Sequence, residues 1–172
     1  MDIEPDTKDW TWVLEQPCPE CGFDAAQVPA TQVAERVLAT LPRWEAVLAR
    51  PGAGERPAPG TWSPTEYASH VRDVFDVFAR RVDLMLAEDD PAFDNWDQDV
   101  TAVEHGYAGR RASDVAPLLA ESGRSAAVAF AAVPDDAWGR TGRRSNGSVF
   151  TVETLALYFL HDVVHHLVDV CG

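Results

Sequence analysis

The chain has 172 residues, enough for one compact domain. Apolar residues make up 46% and charged residues 24%, which excludes disorder along the whole length. Against 28 acidic side chains stand 14 basic ones, and the net charge of −14 excludes charge-driven binding to nucleic acid or to an anionic membrane surface. Lys8 is the sole lysine; every other base is arginine. No window approaches the ~18 consecutive apolar residues of a membrane span. The opening MDIEPDTKDW is acidic and polar, unlike a signal peptide, so a cytoplasmic address is expected.

Residues 1–30 read as an irregular arm, punctuated by Pro5, Pro17, Pro19 and Pro29 and anchored by Trp10, Trp12 and Phe23. Residues 31–172 read as a helical domain. Val33, Val37, Leu38, Leu41, Trp44, Val47 and Leu48 recur at helical spacing and predict a helix over 31–49, with Thr31 as its N-cap. Pro42 lies inside that pattern and is expected to kink or split it. A Pro/Gly-rich loop follows over 50–61. Ser63, Pro64 and Glu66 then form a capping box with proline at the first helical position, opening a helix to about Glu88. Its apolar stripe runs through Tyr67, Val71, Val74, Phe75, Phe78, Val82 and Met85, and His70 falls beside it.

Residues 89–112 are acidic, aromatic and irregular, and a loop of that length in a small domain points to function. Ser113 and Asp114 are expected to cap a third helix reaching about Val133, weakened locally by Gly123. Residues 134–148 are polar and accommodate a short hairpin. Thr151 or Ser148 caps the last helix, which runs to about Val170 and is apolar nearly all round, as suits a core or subunit interface. The fold class is all-α: a four-helix bundle with long crossover loops.

The chemistry concentrates in the last helix. His161 and His165 are four apart, so they lie about 40° apart on one face and can share a metal ion. His166 is turned about 100° from His165 and does not join them on this reading. His70, on the apolar side of another helix, is the third expected ligand. Three imidazoles with an open position suit zinc, and also nickel or iron(II); the plainer reading is core histidines bonded to carbonyls. Glu66 and Asp73 beside His70, and Asp162 and Asp169 beside the pair, are expected to orient the imidazoles from behind, or else to be solvated acids. Trp96, Tyr107 and Arg143 sit in loops able to cover the bundle mouth and are candidates for substrate contact.

Two segments then carry a resemblance: Trp62-Ser63-Pro64-x-Glu66-x-x-x-His70, and His161-x-x-x-His165-His166-Leu167-x-Asp169-Val170. Together they resemble the DinB-like superfamily, with its bacillithiol- and mycothiol-dependent S-transferases and maleylpyruvate isomerase N-terminal domains. The resemblance covers roughly residues 31–170. It implies a four-helix bundle, often dimeric, with a divalent metal, zinc or nickel foremost, on His70, His161 and His165. It also implies a low-molecular-weight thiol as cosubstrate and a small-molecule electrophile as its partner. The Ala- and Arg-rich composition fits a high-GC genome and so a mycothiol-type thiol. The activity implied is thiol S-transfer; the alternative is a non-enzymatic stress or interaction module with a structural metal and a dimerising last helix.

Cys18-Pro19-Glu20-Cys21-Gly22 has the turn shape of a zinc knuckle. With the histidine trio assigned elsewhere, Cys171 and His105 are the remaining partners. Three readings stay open for Cys18 and Cys21: an inert or structural pair, a second metal site, or a redox dithiol.

Overall fold

Apolar side chains at helical spacing fold into helices wherever the sequence repeats them, and a computed structural model describes the result for residues 9–172. The beginning of the expected arm, including Pro5 and Lys8, lies outside the described residues. In chain order the elements are α1 (Val33–Leu48), α2 (Pro64–Ala87), β1 (Ala92–Phe93), α3 (Gln98–Glu104), α4 (Ala112–Ala131), β2 (Thr141–Arg144), β3 (Val149–Thr151) and α5 (Val152–Asp169). Short 3₁₀ turns at Trp10–Leu14, Ala25–Gln27 and Ala30–Gln32 shape the arm. The four long helices form the bundle, with α4 and α5 each packed against both α1 and α2.

The core centres on Phe159 of α5. Its ring stacks on Phe130 of α4 at 4.8 Å and on Phe78 of α2 at 5.4 Å, with Phe75 edge-on at 5.9 Å. Burial of this kind makes truncation to alanine cost about 3–5 kcal/mol. Gly123 has a packing role. A Cβ there would stand 2.6 Å from Leu41 Cδ2 and 3.0 Å from Phe75 Cε2, so glycine lets α4 approach α1 and α2 closely. The apolar residues of α5 are used mostly inside the chain, and Val168 is its exposed large apolar side chain. Among the described residues no helix is long and apolar enough to cross a membrane.

Several local expectations are corrected. Pro42 does not split α1, which runs unbroken over Val33–Leu48. Proline deprives the Leu38 carbonyl of a partner, but Leu38 lies on the exposed face, where water can serve it. The Thr40 hydroxyl donates to the neighbouring Val37 carbonyl at 2.6 Å. Thr31 does not cap α1, because a 3₁₀ turn runs straight into the helix. Neither Ser113 nor Asp114 caps α4; Arg111 precedes it, and Asp114 pairs with that guanidinium from the first turn. The loop over 89–112 contains α3, opened by the Asp97 carboxylate accepting from the Asp99 and Val100 amides. Ser63 and Thr151 do cap α2 and α5, each in a reciprocal capping box.

The hairpin forms as β2 antiparallel to β3, with β1 added parallel to β2. It closes the C-terminal end of α2. Arg140 Nε donates to the Met85 carbonyl at 2.7 Å, and a Cβ on Gly142 would stand 2.8 Å from Met85 Cγ.

Candidate metal centre

Two pairs of chemically active residues four apart lie on α5, offset by one position: His161 with His165, and Asp162 with His166. One step of an α-helix is about 100°, so the pairs face different neighbours. Asp162 and His166 face α2, where they meet His70. His161 and His165 face the arm, where they meet Cys18 and Cys21. The trio expected from the sequence is thus divided between two clusters, because the α2 side of α5 belongs to the other pair.

In the first cluster, ligand atoms of His70, Asp162 and His166 lie within 4.8 Å of one another. Asp162 Oδ1 is 3.4 Å from His70 Nε2 and 3.4 Å from His166 Nε2. That is long for N–H···O, and both His70 ring nitrogens and Asp162 Oδ1 are buried without a hydrogen-bond partner. Leaving such groups unpaired costs about 1–3 kcal/mol each. Two atoms each ~2.1 Å from one ion, near the tetrahedral angle, would stand ~3.4 Å apart. The donor set therefore fits a divalent ion better than it fits a hydrogen-bonded triad.

The protonation states suit that use. Burial pushes the His70 imidazole below its ordinary range, against the opposing pull of Asp162, so it stays neutral. Burial alone would raise the Asp162 carboxyl, but His70 and then His166 and His161 overcome it and hold it below its usual range. His166 Nδ1 lies 2.7 Å from Asp169 Oδ2; donation along that contact leaves the Nε2 lone pair turned toward Asp162 and His70. Two aromatic rings flank His70: Trp96, stacked at 5.3 Å and 11°, and Trp62, tilted at 5.4 Å. A cavity of about 70 Å³ is lined by Asp162 and His166 and also by His161 and His165, with Trp10, Gln98 and Tyr158 around them.

In the second cluster, atoms of Cys18, Cys21, His161 and His165 also lie within 4.8 Å of one another. Cys18 Sγ is 3.7 Å from His165 Nδ1. Trp10 covers the two imidazoles at 5.7 and 5.1 Å, and Phe23 meets His161 edge-on at 5.6 Å. Burial pushes His161 down to about 4 and the Cys21 thiol up to about 11.

The other expected site residues disperse. Asp169 Oδ2 lies against His166 Nδ1. Trp96 stacks on His70, held by its Nε1 donating to Thr101 Oγ1 at 2.8 Å. Asp162 is within the cluster instead of behind it. Glu66 points away from His70, accepting from Arg56 Nε at 2.8 Å and from the Ser63 amide at 2.8 Å. Asp73 serves Arg72, the Tyr107 hydroxyl and His105, whose Nδ1 is 2.8 Å away. Tyr107 thereby braces the loop and lines a separate cleft with Trp62 and Arg56. Arg143 is bound to Asp90 at 2.6 Å on the sheet. Cys171 is exposed, and His105 is taken by Asp73, so neither joins the cysteine pair. Sequence reasoning did not group Asp162 and His166 with His70, although their own spacing of four was the available signal.

The sequence pattern that defines the DinB superfamily matches residues 51–169. The chain belongs to the DinB superfamily. That stretch of this DinB chain includes His70, both α5 pairs and the hairpin, but not the cysteine arm. Among solved structures, YfiT from Bacillus subtilis is similar, with a TM-score of 0.66 at 22% identity over 81% of each chain. It is described as a probable metal-dependent hydrolase with an unusual four-helix bundle topology. At that identity the likeness establishes the shared fold. None of the curated proteins matches the chain.

Proposed function

We propose that this DinB protein is a metal-dependent enzyme whose divalent ion is held by His70, Asp162 and His166. The observation that carries the reading is Asp162 Oδ1 standing 3.4 Å from two imidazole Nε2 atoms, buried and unbonded. Two imidazoles and one carboxylate suit zinc, nickel or iron(II) and leave coordination positions open. An ion so held supplies Lewis acidity and lowers the pKa of a water or thiol brought to it.

The chain's own residues do the rest. Asp169 keeps the His166 ring in one orientation and tautomer. Trp96 and Trp62 hold His70 from both sides and keep bulk water from it. The cavity of about 70 Å³ beside Asp162 and His166 has room for one or two waters, or for a single sulfur with its first carbon. The reaction class supported is attack by a small activated nucleophile on a small electrophile.

Two nucleophiles fit. Thiol S-transfer, with a mycothiol-type cosubstrate, is supported by kinship with the thiol transferases of the superfamily. Hydrolysis is supported by the fold shared with YfiT, a protein described as a probable metal-dependent hydrolase. The test is turnover of a model electrophile with bacterial thiols, beside turnover of esters and amides without them, in metal-loaded protein and in His70→Ala. Turnover in either arm that falls at least 100-fold in His70→Ala is expected. Turnover unchanged in that variant, or none in any arm by the fully metal-loaded chain, would overturn the reading.

A further inference from the structure

We propose that Cys18, Cys21, His161 and His165 form a closed, structural zinc site that fastens the N-terminal arm to α5, separate from the His70–Asp162–His166 centre. Four donors of two soft and two borderline kinds are assembled from residues 18–21 and 161–165, with every ligand atom within 4.8 Å of the others. In a tetrahedral site with Zn–S ~2.3 Å and Zn–N ~2.05 Å, sulfur and nitrogen stand ~3.6 Å apart. Cys18 Sγ and His165 Nδ1 are 3.7 Å apart. His161 Nε2 is buried without a hydrogen-bond partner, which a metal bond would remedy.

The turn is built for this. Gly22 takes a φ of +73°, a conformation that favours glycine, and its amide donates to the Cys18 carbonyl at 2.8 Å. The Cys18 amide closes the loop onto the Phe23 carbonyl at 2.8 Å. Behind His165, Nε2 faces Glu20 Oε2 at 3.5 Å and Asp169 Oδ1 at 3.8 Å, the carboxylate backing that metal-bound imidazoles receive.

Charge and closure point to a structural ion. Binding Zn²⁺ releases the two thiol protons, so two thiolates and two neutral imidazoles give a site of zero net charge, suited to burial. With four protein ligands no position is left for substrate. Among the described residues the arm's backbone hydrogen bonds close within the arm itself, so side chains join it to the bundle: Val13, Cys18, Phe23, Ala25 and Ala30 are buried, and Trp12, Leu14 and Val28 pack against the core. Asp169 stands behind both sites, through His166 in one and His165 in the other, so the arm's ion helps fix the wall of the cavity that Trp10 covers.

The test uses the full chain loaded with Co²⁺ in place of zinc, together with thiol alkylation. Expected are the sulfur-to-cobalt charge-transfer band and intense visible bands of a tetrahedral thiolate site. Cys171, which is exposed, should alkylate at once, while Cys18 and Cys21 stay protected until a chelator is added. Cys18→Ser/Cys21→Ser should lose one metal per chain and the charge-transfer band, and proteolysis within the arm should speed at least tenfold. His70→Ala should keep the band, which separates this site from the proposed catalytic one. A cobalt spectrum without thiolate character would overturn the proposal in the unaltered chain, whether or not the serine variant folds. So would a Cys18–Cys21 disulfide in protein purified throughout in reducing buffer, or an unchanged metal content in a folded serine variant.

Discussion

Replacing Asp169 with asparagine removes one negative charge while keeping the side chain's shape, and it touches both clusters at once. Asp169 Oδ2 lies 2.7 Å from His166 Nδ1, the length of a charge-assisted hydrogen bond, whereas Oδ1 is 3.8 Å from His165 Nε2, beyond direct bonding. The effect should therefore fall mainly on the centre with His70. Carboxylates placed behind metal-bound imidazoles contribute about 10–100-fold in affinity. Asp169 is 29% exposed, so water replaces part of what is lost and the lower end applies: about tenfold, or ~1.4 kcal/mol. The assay is competition for Zn²⁺ against a chromophoric chelator, in the unaltered chain and in Asp169→Asn. The His70 centre should weaken about tenfold and the cysteine site by less. Equal affinity in the two proteins at the His70 centre would refute the claim that Asp169 orients His166 for metal binding.

Glu66→Gln should lower stability by about 1–2 kcal/mol, through loss of the Arg56 pair and a weakened capping box, and leave metal content unchanged; urea unfolding and metal analysis check the two halves. Gly123→Ala should destabilise by about 1–3 kcal/mol, because the new Cβ lands on Leu41 and Phe75; an unchanged unfolding midpoint would contradict the packing. In metal-free protein His161 binds its proton near pH 4 when folded but near 6.5 when unfolded. The unfolded state thus holds more protons between those values, and stability should be complete above about pH 6.5 and fall by at most ~3 kcal/mol toward pH 4. Denaturant titrations at a series of pH values measure this, and a flat profile from pH 7 to 5 would count against it.

The four long helices and the caps of α2 and α5 are legible in local pattern, whereas Thr31, Ser113 and Asp114 look like caps and are not. Ser63 and Glu66 announce the start of α2, and the apolar repeat of α5 announces a core helix. What the sequence could not show was which face of α5 meets which neighbour. His161 and His165 look like two members of a three-histidine site because nothing local reveals that the arm, and not α2, lies against them. With those two assigned to His70, only Cys171 and His105 remain for the cysteine pair, and no local signal points from that pair to the face of α5 that the arm meets. Asp162 and His166 were legible as a spacing, but an aspartate in so acidic a chain carries little weight until its surroundings are seen. Glu66 and Asp73 stand as candidates by sequence proximity to His70 and Arg143 by its loop, yet each is claimed by a nearer partner: Arg56, Tyr107 with His105, and Asp90.

The most direct measurement is an anomalous difference map from crystals of the metal-loaded chain, collected at the absorption edge of the bound ion. A peak among His70 Nε2, Asp162 Oδ1 and His166 Nε2 is the result expected, beside a separate peak at the cysteine cluster. A map with no density between α2 and α5, its metal confined to the arm, would contradict the proposed catalytic centre.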